Sequence, residues 1–423
     1  MSEVINHKCP CCGATLEFDI GSQMVKCPYC DSEFDPKSLS ENEGDLSVDL
    51  ATDGGVEWEE AELYGISEYQ CQSCGGDIYS DQSTSATICP YCGNAVMLKG
   101  RLSGVLKPDK VIPFQKTKNE ALLGLHEHCR KKRFVPKNFI NENKLEEVKG
   151  LYVPFWVYDA ELDADIEYDC MEEHTWTSGN TEYTERKYYT ARRAGDIAFD
   201  HVPADGSSKM PDELMESIEP FDYDKAEDFT TSYLSGYVAD RYDVDQEQVR
   251  PRIRKRMAEG AADAFKRTVT GYDSVTVSDS QITAKSSTVN YVLYPVWLIN
   301  TDWDGRKFTF AMNGQTGKMV GNLPADNVKL SIVTIAVFAV ISLLFGTLIG
   351  SMDEELNIGA ILVGVILGAI AAAAVFFYFK NQLKSVAFEH GAANYYRQDS
   401  MVLRVKTDTF IRKEVTTRRI KDD

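Results

Sequence analysis

The sequence predicts an α+β multidomain chain, and three observations carry that expectation. Two apolar runs late in the chain each have the length of a membrane-crossing helix, and eight cysteines near its start fall into four regular pairs. The long stretch between them alternates polar and apolar residues as strands do, with helical periodicity interrupting it. At 423 residues the chain exceeds an ordinary single core, so several folded units are expected.

The cysteines come first. Cys9 and Cys12, followed by Cys27 and Cys30, form a C-x2-C-x14-C-x2-C pattern, and Cys71, Cys74, Cys89 and Cys92 repeat it with identical spacing. A CxxC turn aims both sulfurs at one ion, and two such knuckles joined by a hairpin close a tetrahedral site. Gly13, Gly75 and Gly93 follow the second cysteine of their pairs, where a positive φ turns backbone N–H groups toward the thiolates; Asp31 takes that place in the remaining pair. Structural zinc is the commonest use of this spacing, which predicts two zinc ions in two ribbons, residues 1–36 and 67–100. A redox-active iron centre of rubredoxin type uses the same knuckles. A closed four-sulfur shell leaves no open position for substrate, so the expected role of the metal is folding. Cys11, Cys129 and Cys170 are scattered; Cys11 lies inside a knuckle as a competing ligand, but the CxxC frame favours Cys9 and Cys12.

Residues 35–62 hold ten acidic residues and one basic one, Lys37, with Gly44, Gly54 and Gly55 interrupting the run. Residues 37–66 therefore read as a flexible, self-repelling acidic linker, with Trp58, Leu63 and Tyr64 leading into the second ribbon as a strand.

Residues 101–327 form the body. Residues 111–114 read as a short strand and 117–132 (TKNEALLGLHEHCRKK) as an amphipathic helix with Ala121, Leu122, Leu125 and Cys129 at helical spacing. His126 and His128 stand two apart and share no helix face, so no metal site is expected there. An internal repeat follows: LYVPFWVY at 151–158 resembles LYPVWLI at 293–299, each leading into alternating residues. These predict two related β-meanders on either side of a helical insert, with the aromatic and proline residues at an edge or bend. The insert contains a helix at 211–218 and a basic one at 246–268, where Arg250, Arg252, Arg254, Lys255 and Arg256 cluster. That cluster is the one credible phosphate-binding place in the body, but pairing with surface carboxylates is the favoured expectation.

Asn313-Gly-Gln-Thr-Gly-Lys falls short of a phosphate loop, because Met312 and Met319 stand where that loop needs glycine and a hydroxyl. It predicts a β-turn. No hydrolase, metalloprotease or dinucleotide motif occurs, and the six histidines (His7, His126, His128, His174, His201, His390) are dispersed, so no catalytic or cofactor-binding residue is assigned and an enzyme is not expected.

Residues 331–350 (SIVTIAVFAVISLLFGTLIG) and 358–379 (IGAILVGVILGAIAAAAVFFYF) contain no charge and flank an acidic link with Asp353, Glu354 and Glu355. They predict a transmembrane helical hairpin over 328–379. Lys329, Lys380 and Lys384 flank it, so the positive-inside rule expects both termini in the cytosol. Ala360, Gly364, Gly368 and Ala372 recur every four residues, and Gly346 with Gly350 repeats the spacing, a stripe suited to a close helix interface, which leaves a homo- or hetero-oligomer through these helices open. Net charge is −20, and the tail from Lys380 carries ten Lys/Arg against six Asp/Glu, leaving about −24 for the rest. Such a body repels phosphates, so nucleic acid is not an expected partner. The basic tail, 380–423, with Arg412, Lys413, Arg418, Arg419 and Lys421, suits an anionic leaflet or an acidic partner, and its apolar segments suggest strands that return to the body and complete a sheet.

Taken together, the paired CPxCG-type knuckles, GLYVPFWVYD (150–159), YPVWLI (294–299), FAMNGQTGKMVGNLP (310–324) and the helical hairpin with its basic tail resemble a bacterial family of zinc-ribbon membrane proteins of TFIIB-type or rubredoxin-like ribbon, the YdjG type. The resemblance implies an adaptor or scaffold at the bacterial cytoplasmic membrane that anchors a PspA-type protein and an SPFH-domain partner in phage-shock-like envelope stress. The residues themselves leave two alternatives, a membrane-tethered nucleic-acid-binding ribbon protein and a redox protein with iron in the four-cysteine sites.

Overall fold

The computed structural model describes residues 17–19, 24–26, 33–34, 50–81, 88–136, 138–139, 148–350, 358–386 and 391–419. In chain order the strands are β1 (Glu17–Asp19), β2 (Met24–Lys26), β3 (Glu33–Phe34), β4 (Ile66–Cys71), β5 (Asp77–Asp81), β6 (Val96–Arg101), β7 (Lys110–Val111), β8 (Lys149–Ser178), β9 (Thr181–Asp205), β10 (Glu227–Asp228), β11 (Val238–Asp240), β12 (Ser274–Trp303), β13 (Arg306–Asn313), β14 (Met319–Val320) and β15 (Val402–Arg419). The helices are α1 (Glu60–Leu63), α2 (Lys118–Arg130), α3 (Asp212–Ser217), α4 (Gln246–Lys266), α5 (Asn327–Gly350) and α6 (Ile358–Gln382). The first three strands make a small antiparallel sheet; the other twelve form one mixed sheet.

The internal repeat is the axis of that sheet. β8 and β12 pair antiparallel, Lys149–Met171 against Ser274–Leu298, and the two repeats lie against each other, with Val153 opposite Tyr294 and Pro154 opposite Leu293. Each repeat begins beside a short parallel strand, β11 at Leu151 and Tyr152, β7 at Val292 and Leu293. Each then acquires its own hairpin partner: β9 from Phe155 onward, β13 from Val296 onward. Pro154 and Pro295 therefore fall where one outer neighbour has ended and the next has not begun. Neither proline forfeits a ladder bond there, which explains how both sit in the middle of the sheet and not at the edge expected from composition. The two predicted meanders exist as hairpins related in this way, but they are joined back to back in one sheet.

The apolar faces are covered by helices. α4 lays Val249, Ile253, Met257, Ala261 and Phe265 on Tyr158, Leu162, Ile166 and Phe199, and the Tyr168 hydroxyl donates to the Ala262 carbonyl at 2.7 Å. α2 is capped by Thr117, whose side chain accepts from the Glu120 amide while its own amide donates to the Glu120 carboxylate; the helix buries Ala121, Leu125 and Cys129 against Phe310 and Met312. The 313–318 segment is a turn between β13 and β14, as predicted, with the Asn313 carboxamide oxygen accepting from the Gln315 and Thr316 amides, both at 2.9 Å.

Segments before and after the body pack onto it or join its sheet. Residues 50–66 are a docked segment where a free linker was expected: Leu50 is buried, Ala51 donates to Ser287 Oγ, Gly55 to Asp109 Oδ2, and Gln246 bonds both the amide and the carbonyl of Gly54. Charge repulsion along a chain is outweighed once its backbone donors and a buried leucine find partners. Trp58, Leu63 and Tyr64 likewise belong to a loop and the short helix α1, with Trp58 edge-on to Phe229 at 5.9 Å, and the strand begins only at Ile66. The second ribbon joins the body through β5 and β11. The tail returns as β15, one 18-residue edge strand paired with β9.

α5 and α6 pack along each other. Candidate spans Asn327–Thr347 and Leu362–Gln382 have mean hydropathy 2.5 and are only 6 % and 17 % buried, so unlike core helices they present apolar surface outward. The predicted small-residue stripe is used inside the hairpin: a Cβ on Gly364 would meet the Gly346 amide and the Ser342 carbonyl at 2.8 Å, and Gly368 sits as closely on Phe338 and Ser342. The acidic link, 351–357, lies outside the described residues.

Candidate metal centre

The second ribbon is built by local backbone geometry. β4 ends at Cys71, and the chain turns so that Gly75 N–H donates to the Cys71 carbonyl at 2.9 Å with Gly75 at φ +71°. The second knuckle repeats the device, with Gly93 N–H donating to the Cys89 carbonyl at 3.1 Å and Gly93 at φ +75°. An L side chain would strain either position.

These turns bring the sulfurs of Cys71, Cys74, Cys89 and Cys92 within 4.8 Å of one another. Cys71 Sγ lies 3.5 Å from Cys92 Sγ, and Cys74 Sγ 3.6 Å from Cys89 Sγ. A tetrahedral ion with bonds of roughly 2.3 Å separates its sulfurs by about 3.8 Å, so the cage fits one tetrahedral metal. The same distances are far too long for disulfides. Burial pushes the Cys92 thiol up, but the Asn94 amide and side chain with the neighbouring Cys71 and Cys74 sulfurs more than offset it, leaving Cys92 at about 7. Burial dominates at Cys74 and Cys89 and raises both. A bound cation would reverse that, since a coordinated thiol is held as thiolate.

Residues outside the cysteine pattern brace the cage, one from within the ribbon and two from the body. Asn94 Nδ2 donates to Ser73 Oγ at 2.9 Å and reaches Cys92 Sγ at 3.4 Å. Lys209 Nζ donates to the Cys74 carbonyl at 3.0 Å, and Asn300 Nδ2 to the Pro90 and Tyr91 carbonyls at 2.8 and 3.0 Å. No sequence signal singles out Lys209 or Asn300, which lie more than a hundred residues from the knuckles they hold.

Of the other predicted positions, Cys9, Cys12, Cys27 and Cys30 lie outside the described residues, as does Cys11. Cys129 and Cys170 are buried apart from the cage. His128 caps the body, its Nε2 3.0 Å from the Gly321 carbonyl, while His126 is exposed. The basic cluster of α4 is turned inward. Arg256 is 3 % exposed and grips Glu219 with both terminal nitrogens, at 3.0 and 2.6 Å, Arg252 contacts Asp205 at 3.0 Å and also Asp212, and Arg250 pairs with Glu247.

No family model matches the chain, and no solved structure matches it. A protein of Bacillus subtilis (strain 168), YdjG, described as uncharacterized, is 33 % identical over 328 residues, covering 78 % of this chain and 92 % of the relative. The chain belongs to the YdjG family. Extensive coverage of the relative means that the similarity extends well beyond the ribbons into the body.

Proposed function

We propose that this member of the YdjG family is a non-enzymatic, membrane-anchored adaptor that holds a zinc-stapled docking body against the cytoplasmic membrane. The observation that carries the reading is that body and apolar helices are one packed unit. Leu330 of α5 and Leu383, just past α6, are buried in the same cluster as Phe134, Phe139 and Phe310, and Leu323 N–H donates to the Leu383 carbonyl at 3.1 Å. A sheet fastened this way moves with its anchor and keeps its outer surface at a fixed height above the bilayer.

In this reading both termini are cytosolic, because the lysines lie at the body end of the helices and the acidic link at the other. Both ribbons hold zinc, with Cys9, Cys12, Cys27 and Cys30 as the second ligand set, and the metal supplies folding energy to small modules with little core. The partners, by resemblance, are a PspA-type protein and an SPFH-domain protein. The internal pairing of Arg252 and Arg256 speaks against the nucleic-acid alternative, since those charges are already neutralised.

Elemental analysis of the purified chain tests the metal: two zinc and no iron per chain are expected, falling by one ion in Cys74→Ser, whereas iron would overturn the reading in favour of redox chemistry. Affinity purification from gently solubilised membranes during envelope stress tests the adaptor. Stoichiometric recovery of the two expected partners supports it; recovery of neither overturns it.

A further inference from the structure

We propose that the basic run Arg130, Lys131, Lys132 and Arg133, at the end of α2, is a juxtamembrane site for anionic phospholipid headgroups. The run lies nearly two hundred residues before α5 in sequence, yet the fold delivers it to the mouth of the hairpin. Phe134, the next residue, packs its ring edge-on to Phe379 at 4.7 Å, and its carbonyl accepts from the Asp326 amide at 2.7 Å, immediately before α5. Residue 134 is thus tied to the body end of both helices.

The depth of that level can be read from α6. Phe377 and Tyr378 are exposed there, and Lys380 folds its ammonium back over the Phe376 ring at 5.9 Å. Aromatic rings followed by a snorkelling lysine mark the headgroup layer of a bilayer. The basic run stands at that height, with Lys384 following on the same side.

Three of its four charges have no countercharge among the described residues. Lys131 makes a solvent-exposed pair with Glu127 at 3.5 Å, but Arg130, Lys132 and Arg133 have no ion-pair partner among the described residues. Nearby, Lys329 is already held by Asp326. Four to eight cations beside a membrane helix attract anionic lipid, whereas the basic tail strand runs along β9 and spends Arg404 and Lys413 on Asp163, Asp196 and Glu185. The leaflet contact is therefore assigned to α2, whose cations the fold ties to the body end of the hairpin.

The inference rests on the membrane-anchor reading, and the test separates the two. Full-length protein is reconstituted into nanodiscs of phosphatidylcholine alone or of phosphatidylcholine mixed with phosphatidylglycerol, and acylation of Lys131 and Lys132 is followed by mass spectrometry. Incorporation into both discs reports the anchor. Acylation is expected to be about fivefold slower in the anionic discs, the factor that a surface cation contributes at an anionic leaflet. Arg130→Gln with Arg133→Gln keeps both reporter lysines and is expected to erase most of that difference. Equal acylation in the two discs, or a difference that survives the double substitution, overturns the headgroup site alone. Failure to enter either disc overturns the anchor and the site together. Equal slowing by duplex DNA in neutral discs would assign the run to nucleic acid and also overturn the proposal.

Discussion

Two basic segments look alike on paper, Arg250 to Arg256 in α4 and Arg130 to Arg133 after α2, yet the fold treats them in opposite ways. In α4 the helix packs its face on the sheet, and the arginines reach Glu219, Asp205 and Asp212 across the interface. After α2 the apolar face ends at Cys129, so the next four residues emerge from the packed side with little to neutralise them. Density of positive charge in a sequence therefore says little about surface potential; what matters is whether the element carrying it is buried against carboxylates.

The largest break in that comparison is expected at Arg256. Arg256→Ala leaves Glu219, itself 3 % exposed, without its countercharge, and should cost about 3–5 kcal/mol in denaturant unfolding. Arg256→Met combined with Glu219→Leu should recover most of it, because an apolar pair of similar volume replaces a desolvated ion pair. A double variant as unstable as the single one would show that the arginine acts through its other bond, to the Pro203 carbonyl at 2.6 Å.

A smaller, pH-dependent effect is expected at Glu216, on α3 facing the same arginines. Burial pushes this carboxyl up to about 7; Arg256 and Arg252 oppose the rise, while Glu219 and Asp212 add to it. The folded chain thus keeps a proton that the unfolded chain releases near 4.5. Its favourable contribution is complete below that value and is lost as pH climbs through about 7. Glu216→Gln should match the parent in stability at acid pH and exceed it above pH 7 in paired thermal melts. A difference that does not change with pH would contradict this assignment.

The smallest effect is expected on the exposed side of the comparison. Arg133→Ala should change unfolding free energy by no more than ~0.5 kcal/mol, since no ion pair is lost with it. A loss comparable to that of Arg256→Ala would mean the run is structural and would remove the contrast.

Legibility in the sequence followed the range of the interaction. The four cysteines at 71, 74, 89 and 92 and their glycines were readable because a knuckle is a local turn whose spacing encodes its geometry. The amphipathic pattern of α2, the basic helix α4 and the 313–318 turn were readable for the same reason. Lys209 and Asn300, which hold the knuckles to the body, were not, because an ordinary lysine and asparagine acquire that role only from neighbours far away in the chain.

From the sequence alone came the elements with periodic or spaced signals: two charge-free helices, the cysteine cage, and two similar strand segments. Only the tertiary structure decided that those segments pair with each other, that residues 50–65 dock against the body, that the tail strand takes β9 as its partner, and that the glycine stripe of α6 faces α5. The physical reason is that helix and turn propensity are set within a few residues, whereas strand pairing and charge neutralisation are set by whichever distant partner burial brings into reach.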